Sequence, residues 1–285
     1  MTTSTTSTTS STPAPAIPVR GDHVGQPSAL HILGRATRSE LIKLGTVRST
    51  GWVLLLAALS IVGIGVFNAV GILVQLRQQP DSQPPTLDPA GAALSGIGAA
   101  LVAVAALGIL SVTADYSSGM IKTTIAAVPR RAYLVLAHTG ALISYVLPVT
   151  LGSTVLTFLA NKIILSAAGV TISFTDPGVA RAVVGAGLYL TVLAVFTAGL
   201  GWLLRSTAGA LVTWLALWLV PTLLIMLFPP TIAARVGPWL PANVGTAIYQ
   251  VGVPQAAAWF SLAGFVGYGV VLMVLATVLL RHRDA

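Results

Sequence analysis

Chemistry needs particular side chains at particular spacings, and this 285-residue sequence offers few of them. Four histidines, His23, His31, His138 and His282, stand far apart and form no HExxH, the helix-borne spacing that puts two imidazoles on one zinc ion. No lysine follows a glycine anywhere, so the phosphate cradle of a GxxxxGK[ST] loop is missing and ATP hydrolysis by that route is excluded. Cysteine is absent, which excludes disulfides, iron–sulfur clusters and thiolate zinc sites. A serine hydrolase working inside a bilayer needs a Ser and a His at depth, but His138 stands near the end of an apolar run and reads as an interfacial histidine. The chain is expected to bind no cofactor or metal of its own.

One polar stretch is too patterned for a plain connector. In TADYSSGMIKTTIAAVPRRAYLVLAH, Asp115 is followed four positions on by Gly119, then by an apolar and β-branched segment at 120–127, then by Pro129, Arg130 and Arg131. It is too short and polar to cross a bilayer, and it predicts a short helix inside a loop. A second patterned stretch, LHILGRATRSELIKLGTVRS, places Leu30, Leu33, Leu41, Leu44 and Val47 at helical spacing with Arg35, Arg38, Lys43 and Arg48 between them. Such a stripe with basic flanks predicts an amphipathic interfacial helix over residues 29–50, lying in the headgroup layer.

The elements that position these stretches follow from composition. Hydrophobic residues make up 55% of the chain and charged residues 8%, whereas soluble domains run at about a quarter charged. Mean hydropathy is +0.89, and the charge deficit falls in long uncharged runs, so the bilayer is the relevant solvent. Crossing about 30 Å of hydrocarbon at 1.5 Å per residue takes about 20 residues. Six uncharged runs have that length, at 51–74, 90–113, 134–159, 182–204, 208–228 and 256–280. None holds an acidic residue, so the intramembrane carboxylate relay of many proton-coupled transporters has no candidate; the polar groups inside are mild, such as Asn68, Thr154 and Thr157. Glycines at Gly96 and Gly98, Gly185 and Gly187, and Gly264, Gly267 and Gly269 would allow close helix approach, and Pro148 and Pro221 predict kinks.

The fold expected is therefore all-α and integral to the membrane, with a six-helix transmembrane domain over 51–281. The Ser, Thr and Pro-rich residues 1–28 read as a disordered tail rather than a signal peptide, because the first long apolar run begins only near Gly51. Residues 282–285 form a short C-terminal tail. Of the fifteen Lys and Arg, eleven fall in the N-terminal segment, the loop after span two, the Arg205 turn and the tail, and four in the opposite loops (Arg77, Lys162, Arg181 and Arg235). Basic residues favour the cytoplasm, which predicts both termini there, in the cell membrane. The formal charge of +8 is scattered singly at run ends, a pattern that sets topology rather than binds nucleic acid. Between spans five and six, the proline-broken stretch from 229 to 255 predicts short outward-facing helices, with Trp239 and Tyr249 suited to the interface.

At the 114–133 loop the sequence resembles the ABC-2 type family of ABC-exporter permeases, especially its small actinobacterial-like members. The family's loop has an acidic residue, then Gly and a short helix, then Pro and Arg before span three; members more often carry Glu at the position of Asp115 and Thr at that of Met120. The opening RSELIKLGTVRSTGW is similar to the family's interfacial segment, through Ser39, Glu40, Lys43, Arg48, Ser49 and Thr50. The Arg205-Ser206-Thr207-Ala208 turn and the WLPAN stretch also match, so the likeness runs from about 38 to 283.

The resemblance implies a coupling helix that docks in a groove of a separate P-loop ATPase. The residues implied are Asp115, Tyr116, Ser118, Gly119, Met120, Ile121, Lys122, Thr123, Thr124, Pro129, Arg130 and Arg131, with Arg38, Glu40, Lys43 and Arg48 on the interfacial helix. It further implies two permease chains, as a homodimer, two ATPase copies that hold the ATP and Mg, and export of a small-molecule, lipid or peptide substrate between the permeases. The chain itself would be no enzyme. Two other classes stay open on the residues alone: a secondary transporter or channel working by itself, and a membrane enzyme or anchor.

Overall fold

The computed structural model describes residues 29–78, 91, 94–119 and 131–283. The tail at 1–28, the short helix expected at 120–127 and residues 284–285 lie outside the described residues. An apolar chain in hydrocarbon must satisfy every backbone N–H and C=O internally, and helices do so within one segment. The described residues form α1 (Ala29–Thr46), α2 (Arg48–Gln78), α3 (Ile97–Ser117), α4 (Arg131–Ser166), α5 (Val179–Leu204), α6 (Thr207–Ile225), α7 (Pro230–Val236) and α8 (Gln255–Arg283), with 3-10 turns at Gly237–Trp239 and Thr246–Tyr249. No strand occurs among them. Six helices, α2, α3, α4, α5, α6 and α8, are long and apolar enough to span, which makes this an all-α integral membrane fold of six spans.

The boundaries differ from expectation in instructive ways. Arg48, expected on the interfacial helix, opens α2, because the chain turns at Val47 and the spanning helix starts one residue later. The second span runs on to Ser117 and so takes in Asp115, a carboxylate the uncharged-run criterion had left in the loop. Helix α4 is 36 residues long and stays helical across Pro148, as α6 does across Pro221. The segment between spans five and six forms the expected short helices, with Trp239 edge-on to Phe260 at 5.7 Å and its carbonyl accepting the Tyr268 hydroxyl at 2.8 Å.

Helix α5 is the axis of the bundle. Its spanning window is 78% buried against 11% for α6, and it packs on α3, α4, α6 and α8. Small residues let backbones approach there. A Cβ at Gly108 of α3 would collide with the Thr197 hydroxyl and the Ala194 carbonyl of α5. At Gly187 one would lie 2.6 Å from Leu151 Cδ2, and at Gly185 2.8 Å from the Ile248 carbonyl. Of the other glycines picked out in the sequence, a Cβ at Gly96 would lie 2.5 Å from the Ile61 carbonyl of α2, one at Gly264 3.3 Å from the Trp239 ring and one at Gly269 3.9 Å from Val195, whereas Cβ atoms at Gly98 and Gly267 would meet nothing within 4 Å.

At the end of the bundle where α5 begins, Arg181 folds its guanidinium into the segment before span six. It donates to the carbonyls of Ala247 (3.0 Å), Ile248 (3.1 Å), Gln250 (2.9 Å), Val251 (3.3 Å) and Val253 (2.9 Å). A residue counted on sequence as a topology signal thus also holds a loop.

Close approach at Gly108 is a packing constraint with a built-in control. Gly108→Ala forces α3 and α5 apart and lowers stability by about 1–3 kcal/mol, while Gly98→Ala, which meets open space, leaves thermal unfolding in detergent unchanged. Equal losses in the two variants would mean that the α3–α5 contact is not as close as described.

Candidate functional site

Where α1 meets the ends of α3 and α4, five polar side chains gather, four of them buried and the fifth, Lys43, half-buried. Glu40 is 5% exposed, although the helical stripe on which α1 was expected to rest is apolar; among the described side chains of α1, Glu40 and Leu44, one turn apart, are the buried pair. Val47, part of the expected stripe, is exposed. Helix α1 packs chiefly on α4, with its carboxylate inserted between helices. Glu40 Oε2 lies 2.9 Å from His138 Nδ1 and 3.7 Å from Lys43 Nζ. Lys43 in turn forms an ion pair with Asp115 of α3, itself 5% exposed. The other imidazole nitrogen of His138, Nε2, is 3.1 Å from Ser111 Oγ, and that hydroxyl donates to the Gly108 carbonyl at 2.8 Å.

Aromatic groups close the cluster. Trp202 of α5 stands edge-on to His138 at 5.7 Å and to Tyr116 at 6.0 Å, and the Arg205 guanidinium lies over the Tyr116 ring at 5.3 Å. Arg205 takes a left-handed conformation, φ 52°, that ends α5, and its N–H bonds the Gly201 carbonyl. Ser206 then caps α6 by accepting the Gly209 N–H, and Thr207 donates to Thr113 of α3 at 2.8 Å. The tight Arg205 turn expected from the sequence is thus what brings α6 back to α3, and five helices converge on one end of the bundle.

Burial alone would raise the Glu40 carboxyl, but the hydrogen bond and charge of His138, with the charge of Lys43, outweigh it and hold the group below the usual carboxylate range. A buried carboxylate so paired is costly to orphan. The three residues Ser111, His138 and Glu40 also stand in the order and at the distances of a nucleophile, base and orienting acid, a constellation that the sequence did not reveal. Ser111 nevertheless lies inside α3, is buried, and spends its hydroxyl proton on its own helix. Acyl transfer requires free donors aimed at an oxyanion, and helix-interior N–H groups are already bonded. What the cluster does chemically is hold charge and join helices.

The expected coupling residues divide into two sets. Asp115 faces Lys43 of α1 from within α3 rather than solvent, and Tyr116 sits beside Trp202. Ser118 caps α3, its hydroxyl donating to Ala114 at 2.8 Å, and Gly119 turns the chain off the helix at φ 72°, a conformation that favours glycine. Met120, Ile121, Lys122, Thr123, Thr124, Pro129 and Arg130 lie outside the described residues, and Arg131 opens α4. On α1, Arg38 is exposed while Glu40 and Lys43 enter the cluster; Arg48, on α2, is exposed.

Sequence reasoning missed His138, Ser111 and Trp202. His138 is not an interfacial histidine: it is 1% exposed and bonded on both ring nitrogens within the protein. The available signal was the scarcity of charge itself, since an acid, a lysine and a histidine bordering apolar runs have few partners except one another.

Comparison with known proteins adds no assignment, since no family model and no curated protein matches this chain. Fold and site together define a multi-pass helical membrane protein whose amphipathic helix is latched to its second and third spans by buried charge.

Two outcomes test the latch. Glu40→Ala and His138→Ala each lower stability by about 3–5 kcal/mol by orphaning a buried partner, whereas a Glu40→Leu/His138→Leu double variant recovers most of that loss; additive losses in the double variant, read by thermal unfolding, would contradict direct pairing. Because the Glu40 carboxyl is lowered on folding, its contribution to α1 docking is complete above the ordinary carboxylate range near about 4.3 and is lost as pH falls through the lowered value. Spin labels at the exposed positions Arg38→Cys and Ser144→Cys should report one narrow distance at neutral pH that broadens only in that acid range.

Proposed function

We propose that the chain is the permease subunit of an ABC exporter, forming the translocation path and driven by a separate cytoplasmic ATPase. The observation that carries this reading is the latch: Glu40 and Lys43 tie α1 to α3 and α4, the two helices that bracket residues 120–130. A force applied at that segment would move three helices as one body, which is how packed helices transmit displacement. In this reading residues 118–131 meet the ATPase. Asp115 positions them from behind by holding α3 to α1, and does not touch the partner itself. Two permease copies pair with two ATPase copies, ATP and Mg reside on the ATPase, both termini are cytoplasmic in the cell membrane, and the cargo is a small molecule, lipid or peptide. The family resemblance in the 38–50 and 114–133 segments supports the same assignment.

The reading is tested by purifying the chain from its source membranes and by reconstituting transport. A P-loop ATPase should copurify, and transport should require its ATP. Asp115→Lys should cut transport at least about tenfold by releasing α1 from α3, since it sets two cations against each other at the latch. Ser111→Ala, which removes only a neutral hydrogen bond of about 1 kcal/mol, should leave transport nearly unchanged. A product formed by the purified chain and abolished in Ser111→Ala would identify a hydrolase instead. Transport with no ATPase present would sink the proposal, as would thiol labelling of Ser118→Cys from outside the cell.

A further inference from the structure

Helices α4 and α8 both lean on α5 but touch each other sparingly, and between them a groove of about 650 Å³ opens on the apolar outer surface of the bundle. Its floor is Val192 and Val195 of α5; its walls include Leu136 and Ile143 of α4 and Val270 and Val274 of α8. The volume falls within the range of about 300–1,000 Å³ typical of ligand sites. The lining is hydrocarbon apart from three threonines, and each of these donates its hydroxyl to its own helix: Thr139 to Val135, Thr191 to Gly187 and Thr277 to Met273. No hydroxyl proton in the groove is left to donate to a polar ligand.

The groove has the length and the polarity of one leaflet. Its lining runs from Ala132 to Ile143 on α4 and from Val266 to Val278 on α8, about 16–18 Å at 1.5 Å per residue, against about 15 Å for half the hydrocarbon core. Since α4 starts and α8 finishes at the same end of the bundle, the groove rises from that surface to the midplane and stops. At its outer end the sequence is basic, with Arg131 opening α4 one residue before Ala132 and Arg281 following three residues after Val278. We propose that this groove binds one acyl chain of an anionic phospholipid from that leaflet, with the headgroup at the level of Arg131 and Arg281. A hydrocarbon chain fills a slot that would otherwise leave its lining without contacts, and the two arginine positions select the negative headgroup. The proposal stands independently of the permease assignment.

Native mass spectrometry of the full chain, purified and exposed to equal amounts of phosphatidylglycerol and phosphatidylcholine, tests it. The expected result is one tightly retained phosphatidylglycerol per chain. Arg131→Gln and Arg281→Gln, which leave the groove unfilled, should each reduce the preference for phosphatidylglycerol about fivefold, the factor equivalent to about 1 kcal/mol per basic residue at an anionic surface. Val270→Trp or Gly269→Leu, which fill the groove, should lose the retained lipid altogether while thermal unfolding stays cooperative. Equal retention of the two lipids by the unaltered chain, retention that survives both filling variants, or loss of a chain dimer in place of a lipid would each overturn it.

Discussion

A carboxylate drawn between apolar helices must be met by hydrogen bonds and opposite charge, and Glu40 is met from two sides, by the His138 imidazole of the third span and the Lys43 ammonium of its own helix. Lys43 is shared with Asp115 of the second span, so one amphipathic helix is bound to two spans through a single polar cluster. Much of that end of the bundle depends on this arrangement. Asp115 can lie inside a spanning helix because it is neutralised there, which lets α3 run to Ser117. Trp202 and Tyr116 can pack around the cluster because its polar atoms point at one another. The reversal at Arg205 then brings α6 back against α3.

The opposite organising principle governs the middle of the molecule, where charge is absent and distance of approach decides. Helix α5 serves as the axis because Gly108 on α3 lets the α5 backbone approach closely, and Gly185 and Gly187 on α5 leave room for Ile248 and Leu151 to pack directly on the helix backbone. Helix α6, by contrast, buries little of its surface within the chain. A bundle packed tightly at one helix and loosely at another divides into an inner body and a lipid-facing periphery.

The six spans were legible in the sequence because an uncharged run of membrane length is a local signal that tertiary context rarely overrides. The short helices after span five were legible for a similar reason, through their prolines. The latch was not, because Glu40, Asp115 and His138 are separated by up to 98 residues and their pairing exists only after three helices have packed. The stripe of leucines on α1 revealed only half of the buried face, since Leu44 enters the protein together with the acid one turn before it. Glycine was an uneven guide: Gly185 and Gly187 mark contacts and Gly267 does not, because a small residue permits an approach without requiring one.

Arg181 grips the segment before the last span by five main-chain oxygens and by none of its side chains. Main-chain oxygens are the same whatever residue carries them. That part of the segment's hold is therefore blind to its spelling, and residues whose side chains face away from the bundle can change in evolution without redrawing the loop. Ile248, packed against Gly185, and Tyr249, edge-on to Tyr189, add contacts that do depend on residue type, so variation among relatives is expected to spare these positions together with the arginine.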